Sequence, residues 1–195
     1  MTNKKVLLID PPGTAKVYST SKIKAATPVV PSISLATLAG ALLKEGYKDV
    51  QILDLNISKN SDRDIQRVMD TYKTNFVGIT FVTPLFASAC EICEKIKKDH
   101  PDVIVLGGGV HSTTLPKETL EKSKFDLVVI GEGEETIIEL VTGKNWSEIK
   151  GIAYKKDGKV FINPPRPLIE NLDDLPLPAW HLYDIDKYFS SYLNS

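Results

Sequence analysis

Between Val103 and Glu134 two short apolar runs each stop on glycine. Residues 103–106 end in Gly107-Gly108-Gly109, followed by Val110 and His111, and residues 127–130 end in Gly131-Glu132-Gly133-Glu134. Short, continuously apolar runs are strands buried on both faces, as in parallel sheets covered by helices. Glycine at a strand end lets a ligand or a helix approach the backbone, so the binding edge of the sheet is expected here.

The rest of the chain repeats this alternation. Residues 5–9 form a first strand closed by Asp10-Pro11-Pro12-Gly13. Leu35, Leu38, Ala39 and Leu42 fall on one helical face, with Ser32 or Ser34 as N-cap and Gly46 as the stop. Residues 50–55 read as strand two. Residues 62–72 follow as a polar helix with a thin apolar face of Ile65, Val68 and Met69, and residues 76–81 as strand three. Thr83-Pro84 opens a helix whose buried stripe is Leu85, Ala89, Ile92 and Ile96. Strand four at 103–106, a short helix at 116–122, strand five at 127–130 and a helix at 134–141 complete the set. Five alternations predict an α/β fold, a flavodoxin-like (Rossmann-like) doubly wound parallel five-stranded sheet of order 2-1-3-4-5.

Beyond Gly143, residues 151–154 and 159–162 alternate at period two around Asp157-Gly158, which predicts a C-terminal β-hairpin. From Asn163 the prolines 164, 165, 167, 176 and 178 predict an extended connector without regular structure. The expected organisation is an α/β domain over 1–145, an edge hairpin extension over 146–170 and a connector over 171–195. A connector ending at Ser195 points to a piece of a longer protein.

Charge narrows the partners. Lys and Arg total 24 against 25 for Asp and Glu, so no long-range field favours nucleic acid or an anionic membrane. No apolar run approaches about 18 residues and the first residues lack a signal-peptide pattern, which predicts a cytoplasmic protein. The two cysteines cannot form a disulfide framework. Cys90-Glu91-Ile92-Cys93 sits two turns inside a helical pattern, where packing explains it better than redox or metal chemistry does.

In the expected strand order a ligand touches the loops after strands one and three. The loop from Asp10 to Pro31 is far longer than such a connection usually is, and the expectation is that it covers a ligand. Lys16, Lys22 and Lys24 within it read as a solvated face.

At this point the residues carry a resemblance. Ile9-Asp10-Pro11-Pro12, Gly78-Ile79-Thr80-Phe81-Val82-Thr83-Pro84, Val105-Leu106-Gly107-Gly108-Gly109-Val110-His111, Gly131-Glu132-Gly133-Glu134 and Asp174-Leu175-Pro176-Leu177-Pro178-Ala179-Trp180 occur in this order. Over nearly the whole chain they resemble the N-terminal cobalamin-binding domain of cobalamin-dependent radical SAM proteins. No one of these motifs is specific alone, but their order and spacing are.

The resemblance implies a cobalamin whose nucleotide tail, ending in dimethylbenzimidazole, enters a slot at the strand ends. Related domains end strand three with S-x-L and follow strand four with a G-G pair. Here Thr80-Phe81-Val82 and Gly107-Gly108 stand in those places, threonine keeping the hydroxyl and valine the apolar wall. The cofactor-binding set implied is Asp10, Pro11, Pro12, Thr80, Val82, Thr83, Gly107, Gly108, Gly109, His111, Gly131, Glu132 and Gly133. Glu132 and Glu134 read as charges favoured at a helix start rather than as an acid–base pair.

One departure matters. The D-x-H-x-x-G motif, whose histidine ligates cobalt from below in many cobalamin domains, is replaced by Asp10-Pro11-Pro12-Gly13. The resemblance then implies a lower face occupied by water, by a side chain of this loop, or by nothing. His111 stays open between a substitute cobalt ligand and a polar residue of the cleft rim. The C-x-x-x-C-x-x-C run that binds a [4Fe–4S] cluster is absent, so the cluster, S-adenosylmethionine and any catalytic residue belong to a C-terminal radical SAM domain of the parent chain. That parent would be a methyltransferase or a cyclase. A flavodoxin-like regulatory or flavin-binding module, and a scaffold that has lost its ligand, are the rival readings. The first lacks the expected acidic cluster and lysine, and Asp10-Pro11-Pro12-Gly13 makes a poor phosphate loop for a flavin.

Overall fold

A computed structural model describes residues 4–13 and 29–193. The covering role expected of the loop after Asp10 falls mostly on residues outside that range. Seven strands form one sheet in the order β2-β1-β3-β4-β5-β6-β7. They are β1 (Val6–Asp10), β2 (Val50–Asp54), β3 (Phe76–Thr80), β4 (Ile104–Gly108), β5 (Leu127–Val129), β6 (Ile152–Lys156) and β7 (Lys159–Ile162). The first five are parallel in the expected order 2-1-3-4-5. The count is seven rather than five because the hairpin joins the sheet. β6 runs antiparallel to β5, pairing Val128 with Ala153, and β7 follows through a turn with Asp157 at φ 50° and Gly158 at φ 72°.

The apolar runs are buried on both faces because helices cover both. Leu7 and Ile9 of β1 pack with Ile65 and Met69 of α2 (Ser61–Tyr72) and with Ala89, Ile92 and Ile96 of α3 (Phe86–Asp99). Val6 and Leu8 point the other way. They meet Leu35, Ala39 and Leu42 of α1 (Ile33–Lys44), and Ile137 and Val141 of α6 (Glu134–Thr142). Between β4 and β5 the chain forms two short helices, α4 (Val110–Thr114) and α5 (Pro116–Glu121), where the sequence suggested one. Val110-His111-Ser112-Thr113-Thr114 has no apolar periodicity and three β-branched residues, so it reads as loop. The Thr83-Pro84 start is likewise a 3₁₀ turn, Thr83–Leu85, that leads into α3.

The proline-rich stretch is extended but not free. Arg166 bonds Glu135, Glu139 and the Thr136 hydroxyl on α6. The Lys44 Nζ donates to the Asp174 carbonyl, and Ala179 N–H to Ala36 O. The stretch ends in a further helix, α7 (Ile185–Leu193), which the sequence did not announce. Tyr183 Oη donates to Ser32 O and Tyr188 Oη to Asp54 Oδ2, so tertiary contacts tie this end down. Gly40 lets the strap lie flat on α1, since a Cβ there would sit 2.6 Å from Leu177 O. Gly40→Ala should cost about 1–3 kcal/mol of stability, read as a lowered urea midpoint. An unchanged midpoint would mean the strap holds nothing.

Candidate functional site

The C-terminal ends of the central strands open into a cavity of about 410 Å³, a size typical of small-molecule sites. Its floor follows from strand parity. Leu106 and Gly108 of β4 face α1 and α6, whereas Gly107 faces the other way, where a Cβ would meet the Phe81 ring at 3.1 Å. Nothing lies within 4 Å of a Cβ built on Gly108, because that position faces the cavity. Gly78 and Thr80 of β3 share this floor, Thr80 in register with Gly108. Leu35 and Leu38 of α1, with Ile137 of α6, form an apolar wall.

Gly109 supports the floor from behind. Its φ is 98° and a Cβ there would lie 2.7 Å from Phe81 O, so the crossing of β4 into α4 requires glycine. The positive φ in the triple therefore belongs to Gly109, while the open space belongs to Gly108. Across the cavity Gly131, at φ 79°, turns β5 toward α6, and its N–H donates to Thr113 Oγ1 at 3.0 Å. Glu132 lines the cavity, and its Oε2 also accepts from Ile169 N–H at 2.6 Å, holding the strap. Glu134 presents a buried Oε2 with no hydrogen-bond partner among the described residues.

Asp10, Thr80, Val82, Gly108, Gly109, Gly131, Glu132 and Gly133 are thus gathered around one cavity. Pro11, Pro12, Thr83, Gly107 and His111 are not among its lining residues. His111 is 4% exposed, its ring stacked on Phe86 at 4.4 Å between centroids and its Nδ1 bonded to Thr83 Oγ1 at 3.1 Å. Among the described residues no histidine lines the cavity. Replacing His111 by alanine should cost about 2–4 kcal/mol of stability through lost packing, measured by thermal melting. It should leave ligand affinity within threefold; a tenfold loss from a folded protein would give His111 a direct part in binding.

The sequence missed Ser32, Ser34, Leu35 and Leu38, which line the cavity from the first turns of α1. The available signal was topological, since the helix that follows strand one starts at the binding edge in this fold class. Cys93 is buried and Cys90 partly so, and burial above all pushes both thiols up, Cys90 to about 11, which suits packing and not thiolate chemistry. No helix among the described residues is long and apolar enough to cross a membrane.

A profile of the B12 binding domain family matches residues 23–141. The chain belongs to that family. This B12-binding domain is 36% identical over 190 residues to an uncharacterized methyltransferase of Pyrococcus horikoshii, covering 94% of the chain and 40% of the relative. It is 33% identical over 167 residues to the anaerobic magnesium-protoporphyrin IX monomethyl ester cyclase of Rubrivivax gelatinosus, covering 81% of the chain and 30% of that protein. The domain thus spans less than half the length of these relatives. Its fold matches the cobalamin-dependent S-adenosylmethionine radical enzyme OxsB, solved with aqua-cobalamin and S-adenosylmethionine, at a TM-score of 0.78 and 20% identity over 97% of the chain and 26% of OxsB. It also matches the radical S-adenosylmethionine methyltransferase TsrM of Kitasatospora setae, solved with cobalamin and a [4Fe–4S] cluster. That match has a TM-score of 0.70 and 22% identity over 94% of the chain and 34% of TsrM.

Proposed function

We propose that the domain holds cobalamin with its nucleotide tail in this cavity and presents the corrin to a radical SAM domain carried by the rest of a longer chain, for methyl transfer. The observation that carries the reading is Gly108, a position without a Cβ that opens onto an apolar cavity at the ligand-binding edge of a B12-family fold. The flat, mostly apolar dimethylbenzimidazole fits a slot floored by Gly78 and Gly108 and walled by Leu35, Leu38 and Ile137. Thr80 offers a hydroxyl on the same floor. Bound cobalamin would supply the methyl-carrying cobalt chemistry.

The chain's own residues bind and position. Val82 and Val110 line the cavity and are 45% and 66% exposed, an apolar rim that suits the broad face of a corrin. The greater length of the relatives supports a longer parent chain, and the likeness to the uncharacterized methyltransferase of Pyrococcus horikoshii supports methyl transfer. Hydroxocobalamin titrated into the purified domain should give a saturable change in its visible spectrum. An unchanged spectrum, with no binding heat by calorimetry, would overturn the reading and leave the rival of a ligand-free scaffold.

A further inference from the structure

We infer that Asp10 is a hydrogen-bond donor to the ligand, a neutral carboxyl beside Asp54 that recognises an uncharged oxygen acceptor. The inference deepens the cobalamin reading and rests on it for the acceptor, an amide carbonyl of the corrin periphery.

β1 and β2 are parallel and pair Asp10 with Asp54, so two carboxyl groups end neighbouring strands side by side. Asp54 is buried and fully served by donors. Its Oδ1 accepts from Asn56 N at 2.8 Å and Asn56 Nδ2 at 2.9 Å, and its Oδ2 from Tyr188 Oη at 2.6 Å. Three donors thus occupy the Asp54 carboxyl, whereas no hydrogen bond of this kind is made by the Asp10 side chain among the described residues. Among the described residues neither carboxyl has an ion-pair partner. Two adjacent carboxylates without a cation do not both ionise readily, so the less well bonded one keeps a proton.

That one is Asp10. Burial first and the Asp54 charge second push its carboxyl up to about 7, against a smaller opposing pull from the Asn56 side chain. Among the described residues, the groups facing the pair do not reverse this. Tyr183 and Tyr188 approach from the C-terminal segment as neutral phenols, both raised by burial first and then by their interactions with Asp54. Glu132 and Glu134, the other acidic residues of the lining, bring no cation to the pair. Asp10 also lines the cavity, where its O–H is available to a ligand. An ionised Asp10 could only accept, from a cation or an N–H group; the neutral acid can donate to a carbonyl oxygen.

The first test needs no ligand. Carboxyl carbon NMR of the domain from pH 4 to pH 9 should show one aspartate titrating near pH 7. That signal should vanish in Asp10→Asn and move toward the ordinary acidic range in Asp54→Asn. Titration of every aspartate in the ordinary range would overturn the inference. In the second test, hydroxocobalamin affinity should fall about tenfold for each pH unit above 7 in the wild type, since a proton required for binding is lost there. The fall should be absent in Asp10→Asn, whose amide donates without titrating. A wild-type affinity independent of pH, or an Asp10→Asn protein that follows the wild-type curve, would overturn the inference. If the signal near pH 7 is present and hydroxocobalamin binds at no pH, the cobalamin reading falls while the neutral carboxyl stands.

Discussion

Gly108→Val is expected to weaken hydroxocobalamin binding at least a hundredfold while the domain stays folded. No atom lies within 4 Å of a Cβ at this position and its φ is outside the left-handed region, so a Cβ here meets neither a close contact nor backbone strain. What it occupies is the cavity. A ligand group displaced by the added isopropyl loses its burial or forces the wall to move, and a hundredfold loss corresponds to about 2.7 kcal/mol. Circular dichroism should show the wild-type spectrum and melting behaviour. Wild-type affinity in a folded Gly108→Val protein would place the ligand elsewhere. Joint loss of fold and binding would make the glycine structural.

One residue further along, the outcome inverts. Gly109→Ala is expected to destabilise the domain by about 2–6 kcal/mol, the sum of a strained backbone at φ 98° and a Cβ 2.7 Å from Phe81 O. The obstacle is backbone, which cannot swing aside as a side-chain tip can. Against a total stability of about 5–15 kcal/mol, the urea midpoint should fall by a large fraction. An unchanged midpoint would mean that the turn from β4 into α4 adapts at little cost. Adjacent glycines thus separate ligand space from chain geometry in two measurements.

That separation also shows what the sequence could and could not convey. The alternation behind the parallel sheet was legible because β1 and β5 are apolar runs and α1 and α3 carry apolar stripes, and the order 2-1-3-4-5 came with the fold class chosen for it. The turn at Asp157-Gly158 announced the hairpin, but its joining the sheet depends on Val128 pairing with Ala153, a long-range fact no local pattern encodes. The helix Ile185–Leu193 follows proline-rich chain and is held by Tyr188 against Asp54, again a distant partner. For the site, the glycine triple marked the sheet edge at which the cavity opens. Its division into three roles needed the register of β4, which sends Gly108 to the cavity and Gly107 to Phe81. His111 looked like a rim residue because it follows the glycines, yet α4 turns its ring into the Phe81 and Phe86 cluster. Asp54, at the end of a strand with no glycine or proline after it, gave no sign of its place beside Asp10.

Whether the cavity floored by Gly108 receives the nucleotide tail is decided by comparing hydroxocobalamin with cobinamide, which lacks that tail, on the same wild-type domain. Calorimetric titration should show hydroxocobalamin bound at least a hundredfold more tightly, with the difference largely abolished in Gly108→Val. Equal affinity for the two corrinoids in the wild type would contradict the claim.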